Sequence, residues 1–151
     1  MTKRLAAEIE GIRVEVPSNI PVMLIREIDD SRRVIPIYIG EAEASSISVA
    51  LSGVVPDRPL THDLMLNTIS EMGGEVVMVV VTDVKEHTYY ANIHIAVEGV
   101  ERVISARPSD AIALAVRAEV PVFVESDLMD KVGKTSVTAD ESDEEEILDD
   151  F

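Results

Sequence analysis

The chain has 151 residues with a net charge of −16, 46% hydrophobic and 28% charged residues, which suits one soluble globular domain with a sizeable core. It has no Cys and no Trp, only three Tyr and two Phe. That excludes a disulfide framework, a thiolate zinc site and a cysteine nucleophile, and leaves an aliphatic core. No apolar run reaches the roughly 18 residues of a membrane span, and the N-terminus lacks a secretory pattern. A cytoplasmic protein without a membrane partner is expected.

In chain order, 5–16 (LAAEIEGIRVEV) and 21–28 (PVMLIREI) read as strands, and a turn at Asp29-Asp30-Ser31 leads to a third at 34–39. Residues 41–52 (EAEASSISVALS) read as a helix with Ile47, Ala50 and Leu51 inward. Glu41 falls with Ser45, Ser48 and Ser52 on its solvated face. A breaker-rich loop (53–59) precedes a second helix, capped by Thr61, with a buried stripe of Met65, Leu66, Ile69 and Met72. The run 75–84 is apolar on both faces and so predicts a central strand. A meander follows through 89–97 and 100–106, then a third helix from Pro108, a short strand at 121–124 and a helical turn at 126–132. The domain is expected to span 1–133 and an acidic, disordered tail 134–151. The last twelve residues hold eight acids and no base, so the rest of the chain has 21 acids against 13 bases, net −8. Such a body does not attract polyanions by simple charge.

Residues 47–56 (ISVALSGVVP) and 112–121 (IALAVRAEVP) align without gaps at four identities in ten. In each copy a strand precedes the helix and Asp-Leu-Met follows it. The echo implies two strand–helix units related by a pseudo-twofold, with their helix mouths converging.

The candidate chemistry lies at those mouths. Glu43 shares a face with Ile47 and Ala50, where a carboxylate needs a partner. His62 shares a face with Leu66 and Ile69, so its ring is directed inward, as a satisfied histidine or a general base. Asp63 suits the dipole of its helix. Ser109 and Asp110 read as cap and dipole partners behind Pro108. Arg107 is different, because a cation at a helix N-terminus opposes the dipole. It calls for a carboxylate such as Glu43 or Asp110, or a bound anion. His94 alternates with Ile93 and Ile95 and is expected outward or in a subunit contact; His87 lies in a turn. No histidine ligand pair, phosphate-binding glycine loop or nucleophile elbow appears. A carboxylate-bound Mg²⁺ or Mn²⁺ is the one metal site this inventory permits, drawing on Glu43, Asp63 and Asp110.

The stretches IPIYIGEAEASSISVAL, RPLTHDLM, ANIHI and ARPSDAIALAVRAEVPVFV together resemble the bifunctional nuclease domain family over roughly residues 5–132. The resemblance implies an α+β domain with a mixed, largely antiparallel sheet carrying three to four helices. It further implies homo-oligomers, a dimer by preference, and nuclease activity on DNA and RNA. The family motif falls on Gly40, Glu41, Glu43, His62, Asp63, Arg107, Ser109 and Asp110. Two functions follow from these residues. One is metal-assisted phosphodiester hydrolysis, with Arg107 on the phosphate and His62 as acid or base. The other is a non-catalytic oligomeric binding protein, in which Glu43–Arg107 is a structural ion pair and the mouths hold at most a small anion.

Overall fold

A computed structural model describes residues 2–29 and 31–135. The expectation for the acidic stretch from 136 onward lies outside the described residues. Strands β1 (Arg4–Glu15), β2 (Ile20–Glu27) and β3 (Val34–Tyr38) are followed by helices α1 (Glu41–Leu51) and α2 (Thr61–Glu71). Strands β4 (Gly74–Lys85), β5 (Thr88–Val97) and β6 (Val100–Ala106) then lead to α3 (Pro108–Ala118), β7 (Val122–Glu125) and α4 (Ser126–Val132). All seven strands form one sheet in the order β3-β2-β1-β7-β4-β5-β6. Every pairing is antiparallel except β4 with β7, so the class is α+β with a mixed sheet, as expected.

The internal echo is visible in this order. Three antiparallel strands and a helix occur twice, β1-β2-β3-α1 and β4-β5-β6-α3, with α2 after the first set and β7-α4 after the second. Since β7 is antiparallel to β1 and parallel to β4, the first strands of the two units run in opposite directions. A twofold normal to the sheet relates strands in that way. β7 is wedged between the units, and α1 packs on α3.

One main core joins the sheet to the helices. Ile25 and Ile35 from the first meander, Val79 and Ile93 from the second, Ile47 from α1 and Ile112 and Leu114 from α3 are fully or almost fully buried in it. The expected burial needs correction at three places. In α1 the inward residues are Ala44, Ser46 and Ile47, while Leu51 is exposed. In α2 Leu66 and Ile69 pack on the core, but Met65 and Met72 are exposed, because the helix lies across the rim and buries a narrow stripe. His94 is buried rather than outward; its Nδ1 bonds Glu101 of the adjacent β6. Lys134 exchanges backbone hydrogen bonds of 2.8 and 2.9 Å with Val34 at the edge of β3.

Candidate acid–base site

Gly40, in extended conformation, ends β3 and starts α1. A side chain there would run into the Glu43 carboxylate, which folds back over it. Bare backbone at position 40 is therefore what lets Glu43 sit at the helix mouth. In α3, Arg107 is itself the N-cap residue, in extended conformation, and Pro108 occupies the first turn. The expected capping by Ser109 and Asp110 is corrected. No side chain caps this helix; Ser109 is buried in the first turn, and Asp110 turns sideways to other partners.

Those partners answer the question posed by Arg107. Its Nε and Nη2 donate to Asp110 Oδ2 at 3.0 and 2.9 Å, and Nη2 also reaches Glu43 Oε1 at 3.1 Å. The hydrogen bond and charge of Asp110, then those of Glu43, push the guanidinium above its already high ordinary value. The side chain nevertheless remains 65% exposed. Two convergent carboxylates from different elements outweigh the unfavourable dipole.

The other oxygen of Asp110 accepts from His62, Nε2 to Oδ1 at 2.8 Å, and His62 Nδ1 meets Ser46 Oγ at 2.6 Å. An ionised carboxylate only accepts, which places a hydrogen on Nε2. In the neutral ring Nδ1 then carries the lone pair and takes the Ser46 hydroxyl hydrogen. A continuous line, Ser46–His62–Asp110–Arg107–Glu43, thus joins α1, α2 and the mouth of α3. It lines a cleft of about 620 Å³ together with Pro59, Leu60 and Thr61.

Asp63 is elsewhere. Its Oδ2 accepts from the Leu60 N–H at 2.9 Å and its Oδ1 from Arg117 Nε at 2.7 Å. Leu60, not Thr61, is therefore the N-cap position of α2, with Asp63 folding back as half a capping box. Partial burial pushes the Asp63 carboxyl up, but Arg117 and the Leu60 amide outweigh it and hold the group below its usual range. Arg117, almost buried, also donates to the carbonyls of Ala113 and Ser46 at 3.0 and 3.1 Å, tying α3 to α1 and α2.

Two of these residues, Ser46 and Arg117, escaped the sequence reading although a signal existed. Ser46 lies on the stripe 43/46/47/50 and Arg117 on 110/113/114/117, and a polar residue in an apolar helical stripe asks for a partner.

The metal expectation meets a definite geometry. Among the described residues no three Asp, Glu or His groups come together as ligands. Glu43 Oε1 and Asp110 Oδ2 both lie about 3 Å from one guanidinium nitrogen, which fills the space a shared ion would take. Asp63 is committed to Arg117. As arranged, these donors do not fit a resident divalent ion.

An α+β fold with a hydrogen-bonded Ser46–His62–Asp110 line opening on a cleft is what the fold and the site define. Residues 23–136 match the family model described as the bifunctional nuclease domain, and the chain belongs to that family. It is 44% identical over 135 residues to an uncharacterized protein of Mycobacterium tuberculosis, covering 89% of this chain and 79% of the relative. It is 31% identical over 120 residues to Bifunctional nuclease 2 of Oryza sativa subsp. japonica, covering 78% of this chain and 37% of that protein. To Bifunctional nuclease 1 of Arabidopsis thaliana it is 30% identical over 107 residues, or 69% and 33% of the two chains. The chain thus spans about a third of each plant relative.

Proposed function

We propose that the protein hydrolyses phosphodiester bonds of DNA and RNA at the cleft between the mouths of α1, α2 and α3. The observation that carries this reading is the Ser46–His62–Asp110 relay beside an exposed arginine, in a chain of this family. Attack of water on phosphorus releases one proton. The Ser46 oxygen takes it as its own hydrogen passes to Nδ1 of His62, and Asp110 offsets the charge of the resulting imidazolium. Reverse transfer delivers the proton to the departing oxygen. Arg107, swinging from its carboxylates, neutralises the phosphorane oxygens. Ser109 borders the site behind Arg107. Asp63 acts at one remove, by holding Arg117 and the start of α2. A role for Mg²⁺ or Mn²⁺ requires that the ion displace Arg107 from between Glu43 and Asp110, and no step above passes through it.

A non-catalytic reading is favoured by one observation. Arg107 faces two carboxylates, so with His62 neutral the cluster is net negative and repels phosphate. In that reading Glu43–Arg107–Asp110 is structural. We also propose a homodimer in the cytoplasm. Leu51, Val54, Val55, Leu60, Leu64 and Met65, on α1, α2 and the loop joining them, are exposed apolar residues that a subunit contact would cover. No helix among the described residues is long and apolar enough to cross a membrane.

The test incubates purified protein with single-stranded RNA and DNA in Mg²⁺, Mn²⁺ or EDTA, beside Arg107→Ala. The relay predicts cleavage that persists in EDTA and falls by about 10²–10³ in the variant. Equal cleavage by wild type and variant means contamination and removes the hydrolytic reading.

A further inference from the structure

Aromatic residues are scarce in this chain, and the sequence gives no surface for stacking bases. The fold assembles one on the far side of Arg107. The end of β3, the β4–β5 turn and the mouth of α3 enclose a second cleft of about 370 Å³, within the range of about 300–1,000 Å³ typical of small-molecule sites. Tyr38 and Tyr89 form walls, His87 and Thr88 reach in from the turn, and Ser109 and Arg107 close the α3 side.

Three features make it unlike the neighbouring cleft. None of its ten lining residues is acidic, in a chain of net charge −16. Ser109 is only 5% exposed, lines this cleft, and its hydroxyl has no hydrogen-bond partner among the described residues. The residue is buried, yet its hydroxyl opens onto the cleft, where it is available to a ligand. Beside it, α3 begins with no side-chain cap. Its first intrahelical bond runs from Ala111 N–H to Arg107 O, so the N–H groups of Ser109 and Asp110 precede the ladder. Burial pushes the Tyr89 phenol up to about 12, so it stays a neutral wall at any physiological pH.

We propose that this second cleft binds a nucleoside phosphate. Its phosphate sits at the α3 mouth against Ser109 and Arg107, and its base lies against Tyr38 and Tyr89 with His87 at the rim. The assignment rests on the phosphodiesterase reading: the first cleft cuts, and the second holds the adjoining nucleotide. Arg107, which borders both, spans the two.

The experiment is a titration in EDTA, where binding is read without turnover, of the full chain with adenosine 5′-monophosphate, inorganic phosphate and adenosine. Backbone amide shifts locate the ligand. The nucleotide is expected to bind more tightly than phosphate or adenosine, with shifts at residues 87–89 and 109. Ser109→Ala is expected to weaken it about five- to tenfold. His87→Ala, in an exposed turn that cannot threaten the core, weakens it as well. The proposal is overturned if the nucleotide does not saturate, if both variants bind as wild type does, or if phosphate alone binds as tightly as the nucleotide. A protein that binds nucleotide here but cleaves nothing removes the hydrolytic reading and leaves this site standing. Cleavage with no nucleotide in this cleft does the reverse.

Discussion

Arg107 and Arg117 show how exposure changes what a guanidinium does. Arg107 is 65% exposed and shares two carboxylates, so its ion pairs are screened and add at most about 1 kcal/mol to stability. Arg107→Ala should therefore leave the unfolding midpoint almost unmoved in a thermal melt, whatever it does to cleavage. Arg117 is nearly buried, and Asp63 is its charge partner. Asp63→Asn should cost about 1.5–3 kcal/mol at pH 7 by urea titration. The pH dependence has a fixed sign. The folded pKa of Asp63 lies below the ordinary 3.8, so its contribution is complete above that value and fades as pH falls through the folded one. The wild-type advantage over Asp63→Asn should be constant near neutrality and shrink below about pH 4. A gap that widens in acid would contradict this assignment.

At the scale of elements, the β2–β3 hairpin carries its own test. Glu27 is fully buried and takes Arg33 at 2.7 and 3.2 Å, while Arg33 also reaches Asp130 of α4 at 2.8 Å. Arg33→Met strands a buried carboxylate and should cost about 3–5 kcal/mol. Arg33→Met with Glu27→Leu should recover much of it, as denaturant titration of both would show. The strands and helices themselves were legible, because period-2 and period-3.6 patterns and the Gly and Pro punctuation mark each run. Stripe width was not: Met65 and Met72 fit a helical stripe, but only the packing of α2 decides which members are covered. The site was half legible. Glu43, His62, Arg107 and Asp110 do meet, because each sits at a helix mouth or on an inward face. Asp63 joins Arg117 instead, a choice set by where α3 ends relative to α2. His87 carries no local signal, since a turn reaches the α3 mouth only through the long β4–β5 hairpin.

For the whole molecule, the repeat of three strands and a helix explains why the mouths of α1 and α3 meet. The position of β7 between the units could not be read, because nothing in a four-residue apolar strand names its neighbours. The apolar surface at α1, α2 and their connection gives the quaternary prediction. Sedimentation should find a dimer, and Leu64→Glu should shift it to monomer without lowering helix content. A monomeric wild type would remove the proposed contact.

The most direct measurement is cleavage of a labelled single-stranded RNA by Asp110→Asn, purified beside wild type and checked for an unchanged melt. Asp110 orients His62 through one oxygen and holds Arg107 through the other. The account predicts a rate lower by about 10²–10⁴. Wild-type cleavage by a folded Asp110→Asn would contradict it.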